Sequence, residues 1–217
     1  MSEAAFLRAR RPEHKQQRRE AILAAARELA LRSGVREVSL GGVAAAVGLA
    51  KSNLARYFAT REEIYLELAA QEWHDWERAV LDRLAPSSGP GAVVDVLADT
   101  LAERPLFCDL LSHSSTQLEH NVTVEAARAF KLTAIGVTAR LGRAVARVCP
   151  HFTEDEAREL VGSAAALASL LYPAANPPPV LAELYASDPE IAVACLPFVP
   201  TIKRMLMALA AGLPTLR

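Results

Sequence analysis

Residues Ser39 to Arg61 read S-L-G-G-V-A-A-A-V-G-L-A-K-S-N-L-A-R-Y-F-A-T-R, and this stretch decides the fold. Ser39 is placed to cap the free N–H groups of a short helical segment ending near Val47. Gly48 breaks that segment, and a second short helix is expected from Lys51 to Phe58. Two short helices joined through a glycine turn, with small residues (Ala44, Ala45, Ala46) at their crossing, predict helix-turn-helix geometry. Leu40, Val43, Val47, Leu49, Leu54 and Phe58 point inward in that arrangement, which leaves Lys51, Ser52, Asn53, Arg56 and Tyr57 outward. A major groove admits one helix, which reads bases with hydrogen-bonding side chains near its N-terminus. Lys51 can donate to guanine acceptors or to phosphate, and Asn53 can pair with adenine. Arg56, Tyr57 and Arg61 suit phosphate contacts. The competing reading is a surface helix pair that only packs.

Charge supports an interface with a polyanion once the chain is divided. The 217 residues carry 24 Lys plus Arg against 25 Asp plus Glu, a net charge of −1. Residues 1–62 hold 12 of the basic and 6 of the acidic residues, a balance of +6, and the remainder is left at −7. Such asymmetry points to a polyanion-binding part joined to a part with another task, with a solvated basic tail as the plain alternative. The apolar fraction, 52%, excludes a disordered chain. Leu160 to Ala182 is the longest charge-free stretch, yet Pro173 and Pro177 to Pro179 leave no room there for a spanning helix. Met1 to Arg11 lacks the apolar core of a signal peptide. Cys108, Cys149 and Cys195 are far apart and without a CxxC pair, as expected of reduced thiols in a cytoplasmic protein.

Helical periodicity runs through the rest, so the fold class expected is all-α. The first helix is expected from His14 to Ser33, with Ile22, Ala25, Ala26 and Leu29 as its apolar stripe and Gly34 as its stop. A long helix starts near Arg61 and turns Tyr65, Leu68, Trp73, Trp76, Val80 and Leu84 inward. Pro86 to Gly91 punctuates the chain. Further helices are expected at Ala92–Glu103, Pro105–Glu119, Val124–Val148, Thr153–Leu171 and Phe198–Ala211, the fourth opening on a capping box. Asn176 to Ile191 reads as a linker with a helical turn or two. Residues 1–60 would form the helix-turn-helix domain, and 61–217 a helical domain for effector binding and dimerisation.

Candidate ligand residues lie in that second part. Trp73, Trp76, Phe107, Phe130 and Tyr172 can line an apolar cavity, with core packing as the competing use. Asp109, His113, Gln117 and His120 fall at i, i+4, i+8 and i+11 and share a face if the Pro105 helix extends far enough. They could orient a polar ligand; a solvated face outweighs a metal site, and no metal or cofactor is expected. For dimerisation, Leu160, Ala164, Leu167, Ala168 and Leu171, with Met205, Leu206 and Leu209, could build a four-helix bundle between two copies. No Gly-rich phosphate loop, G-x-S-x-G or H-E-x-x-H occurs, which argues against an enzyme. The rival classes are a helical metal- or small-molecule-binding enzyme using the His113/His120 face and a protein-binding adaptor.

The residues Ala21–Leu31, Gly34, Ser39-Leu40, Val43-Ala44, Gly48-Leu49, Leu54, Phe58 and Arg61-Glu62-Glu63-Ile64 together resemble the TetR family of transcriptional regulators. The resemblance implies a homodimer docking its N-terminal domains in successive major grooves of a palindromic operator. It also implies a variable C-terminal domain that dimerises and often binds a small inducer, and hence a ligand-responsive repressor. Departures exist. Many members carry an aromatic residue where Ala55 stands, and here the tyrosine is Tyr57; members usually have lysine in place of Arg61. Ala50 replaces the usual hydroxyl cap, and Gly41-Gly42 weakens its helix by about 1 kcal/mol per glycine. A labile reading head, ordered by DNA, is the expectation.

Overall fold

Apolar residues at helical spacing find their partners in a fold made, among the described residues, of helices alone. The structure, a computed structural model, describes residues 3–86 and 88–217. Met1, Ser2 and Ser87 of the Pro86–Gly91 break lie outside the described residues, as do the side chains of residues 3–13, 115 and 116. Helix α1 spans Glu3–Ser33, α2 Leu40–Ala46, α3 Lys51–Leu54 and α4 Arg61–Arg83. They are followed by α5 (Pro90–Ala102), α6 (Pro105–His113), α7 (Val124–Val148), α8 (Glu154–Ala175), α9 (Pro179–Ser187), α10 (Pro189–Ala192) and α11 (Phe198–Gly212).

Helix α4 is the spine. Its Ile64, Tyr65, Leu68, Trp73, Trp76 and Val80 are buried, and it packs on α1 at one end and on α5, α6 and α7 along its length. Trp73 meets Trp76 and Phe107 edge-on, those two are tilted against each other, with centroids 5.2–5.8 Å apart, and the Trp76 indole donates to Thr100 Oγ1 at 2.9 Å. Helix α8 packs against α6, α7 and α11. Where α7 crosses it, a Cβ on Gly142 would stand 2.9 Å from the Arg158 backbone, so only glycine allows the two helices this close. The capping box of α8 forms, Thr153 accepting from Glu156 N and Glu156 accepting from Thr153 N.

Several boundaries depart from expectation. Helix α1 begins at Glu3 rather than His14, because the alanines and arginines of residues 3–11 favour helix and carry it on past Pro12. The second helix of the pair is regular only over Lys51–Leu54 and tightens to i→i+3 bonds at Arg56 and Tyr57. Of Ala44, Ala45 and Ala46, only Ala44 is buried; the other two face outward. The Pro105 helix stops at His113 and passes into a π-helical turn, Ser114–Leu118. The segment read as a linker holds α9 and α10, because Pro179 and Pro189 each occupy the first helical turn, where a missing N–H costs nothing. No residue of α9 or α10 is buried.

Candidate nucleic-acid interface

The reading head is assembled from short-range devices. Ser39 Oγ accepts from Gly42 N at 3.0 Å and starts α2. Gly48 takes φ +65°, a left-handed backbone that L side chains rarely adopt, and Leu49 N then bonds back to Ala44 O at 2.9 Å. Val43, Ala44, Leu54 and Phe58 are buried under the turn, with Leu40, Val47 and Leu49 half-buried at its margin. This leaves Lys51, Ser52, Asn53 and Arg56 exposed together on the outer side of α3. The start of α3 has no side-chain cap, since Ala50 supplies no oxygen.

The other expected DNA contacts are differently placed. Ser39 is exposed, but its hydroxyl holds the α2 cap. Tyr57 is half-buried against the core. Arg61 is drawn inward: its Nη1 donates to the carbonyls of Arg36 and Val38 at 3.0 and 3.1 Å, and its Nε to Glu62 at 3.1 Å.

Charge reading missed the fasteners between head and spine. Arg19 pairs with Glu67, donates to the Tyr57 carbonyl at 2.7 Å and lies 4.0 Å above the Phe58 ring. Arg27 pairs with Glu72, which is 5% exposed. The signal was available in α4, whose carboxylates on the side facing α1 call for cations. A further tie comes from α6: Asp109 Oδ2 accepts from Val35 N at 2.8 Å, just after Gly34, whose φ is +84°.

The expected ligand face is divided by these contacts. Asp109 meets His113, at 3.4 Å, but the π-helical turn breaks the α register, and Gln117 and His120 stand exposed. Trp76 and Phe107 are fully buried in the core rather than lining a cavity, and Tyr172 rests edge-on against Phe198 at 5.8 Å. Trp73 and Phe130 instead border an open groove of about 630 Å³ between α7 and α8, floored also by Leu111 and walled by Ile135, Thr138 and Arg158. The Trp73 indole N–H is buried without a partner among the described residues, as is the Tyr65 hydroxyl. Burial pushes the Tyr65 phenol upward and the Cys108 thiol up to about 12, so neither ionises near neutrality. No group of three His, Cys, Asp or Glu among the described residues is arranged to hold a metal.

The expected dimer stripe is corrected in the same way. Leu160, Ala164, Ala168, Leu171 and Leu206 are buried within a single chain, because that side of α8 and α11 faces α5, α6 and α7. Leu167 is half-buried, while Met205 and Leu209 are exposed. Their exposed neighbour on α8 is Leu170, at 69%. No helix among the described residues is long and apolar enough to cross a membrane.

Residues 22–68 match the model of bacterial regulatory proteins of the tetR family, and residues 70–217 match the tetracyclin repressor-like C-terminal domain. No curated protein matches in sequence. Among solved structures, the fatty acid degradation regulator FadR of Bacillus halodurans is similar in fold, with a TM-score of 0.53 at 12% identity over 90% of this chain and 97% of that one. A tetR-family regulator of Streptomyces coelicolor gives a TM-score of 0.45 at 18% identity, covering 89% of each chain. A TetR/AcrR-family regulator of Thermobifida fusca gives the same two values over 91% and 97%.

Proposed function

The chain belongs to the TetR family of transcriptional regulators, and on that premise we propose that it is a ligand-responsive repressor binding a palindromic operator as a homodimer. Residues 1–60 would be the reading domain and 61–217 the effector and dimer domain. The observation that carries the DNA reading is the exposure of Lys51, Ser52, Asn53 and Arg56 on one side of α3, all without protein partners among the described residues. Lys51 and Asn53 reach base edges, while Arg56 and Ser52 hold phosphate. Arg61 acts through the fold, fixing the loop before α2 against α4.

The effector enters the groove between α7 and α8, where about 630 Å³ falls within the usual range for small-molecule sites. Its apolar body would rest on Trp73, Leu111 and Phe130. Filling the groove displaces α4 as a lever. Arg19–Glu67 and Arg27–Glu72 make the reading head follow α4, and Asp109–Val35 makes it follow α6. The separation of two heads then no longer matches half-sites about 34–36 Å apart, or a multiple of that. The dimer rests on the outward rows of α8 and α11, with Leu167, Leu170, Met205 and Leu209.

Two variants measured on a bound operator test the division of labour. Asn53→Ala should relax preference at one base pair, by about 1–3 kcal/mol, and leave the others. Arg56→Ala should weaken binding to all sequences and flatten the salt slope by about 1. An Arg56→Ala protein with altered base preference and unaltered salt slope would contradict these roles.

A further inference from the structure

Sorting the cations of the N-terminal part by their partners separates two populations. Arg19 and Arg27 are paired with Glu67 and Glu72, and Arg61 with Glu62 and two carbonyls. Lys15, Arg18 and Arg56 have neither an ion pair nor a hydrogen bond among the described residues. These three converge on one crevice of about 750 Å³ between α1 and the end of α3, with His14, Gln17 and Tyr57.

Helix geometry brings them there. His14, Arg18 and Ala21 follow at i, i+4 and i+7, and Lys15 is three residues before Arg18, so one face of α1 turns toward Arg56. No carboxylate among the described residues lines the crevice. The hollow on the other side of Tyr57 is the reverse, with Glu63, Glu67 and Glu125 around Arg19. Like charges one helical turn apart repel, and no carboxylate among the described residues of the crevice answers them. Convergence from two elements, continuous with the outward side of α3, separates this crevice from a scatter of solvated lysines.

We propose that the crevice receives the phosphate backbone of duplex DNA, making the His14–Arg18 face of α1 a second arm of the interface beside α3. The proposal rests on the DNA-binding reading above and extends it to residues outside the helix-turn-helix. Lys15, Arg18 and Arg56 neutralise phosphates, and Gln17 donates to a phosphate or sugar oxygen. These contacts set register and affinity and carry no base information.

The test uses the full chain and a mixed-sequence duplex of roughly three helical turns, so that no operator need be known. Binding is followed over a series of salt concentrations for the parent, Lys15→Ala/Arg18→Ala, Lys15→Arg/Arg18→Lys and Lys51→Ala. The alanine pair should make the log–log salt slope shallower by about 1.8, at about 0.9 per phosphate, and the charge-keeping pair should restore it. Both positions are exposed, so an unchanged Tm will accompany the loss. A parental slope in the alanine pair, while Lys51→Ala is shallower, would overturn this proposal and leave the recognition helix standing. A parent without salt-dependent DNA affinity would overturn the DNA-binding reading itself. Loss of slope toward heparin but not toward the duplex would also overturn the proposal, since the crevice would then serve a free polyanion.

Discussion

Arg56 and Arg61 are five residues apart and occupy opposite circumstances. Arg56 stands in solvent without a partner, whereas Arg61 is one-fifth exposed and bonded to two carbonyls. Their numbers in the sequence do not reveal this, because it depends on where the loop at Arg36–Val38 returns. Glu156 was legible as the third residue of a capping box; its second partner was not, since Arg217 is 61 residues away and clamps it at 2.7 and 2.8 Å. The Arg217 guanidinium, and then the Thr153 N–H, hold the Glu156 carboxyl down at about 2, from an ordinary value of 4.5. A depressed carboxyl stabilises the fold above its unfolded pKa and loses that contribution as pH falls through the folded one. Glu156→Gln, which keeps the cap but not the charge, should therefore lower Tm at neutral pH. The gap to the parent should close between about pH 4.5 and 2. A gap persisting below that window would assign the effect to packing.

At the scale of elements, α7 and α11 were readable nearly to the residue. Helix α7 runs over Val124–Val148 as its pattern predicts, and α4 starts at Arg61. What pattern could not supply were interruptions made by the backbone alone, such as the π-helical turn after His113, which disperses the expected Asp109–His120 face. Proline misled in α9 and α10, because a proline that opens a helix and one that ends it look alike in sequence. Helix α3 is the weak element: four residues, no side-chain cap, and two glycines, Gly41 and Gly42, in the helix before it. Ala50→Ser should supply the missing acceptor and add about 0.5–2 kcal/mol to local stability. Hydrogen exchange at Asn53 and Leu54 should slow accordingly in the DNA-free protein. Full protection of these amides in the parent would mean that the head is already rigid.

For the molecule as a whole, charge asymmetry foretold a basic head and an acidic body, but not that some of the head's cations serve to fasten the two together. The apolar rows on α8 and α11 were legible as helical faces; which side faced its own core required the positions of α5, α6 and α7. The outward side holds Leu170, and Leu170→Glu should place a charge in each half of a two-fold interface. Sedimentation should then report the single-chain mass of 23.4 kDa, against twice that for the parent, with helical content unchanged. An intact dimer in that variant would move the interface elsewhere, the exposed α9–α10 segment being the next surface to test.

The central claim is that two copies of α3 read two successive major grooves. Selection of duplexes from a random-sequence pool by the purified full chain tests it most directly. The account predicts an inverted repeat whose half-site centres lie about 34–36 Å apart or a multiple of that, lost when Lys51 and Asn53 are both alanine. Enrichment of a single, non-repeated motif, or of no motif at all, would contradict it.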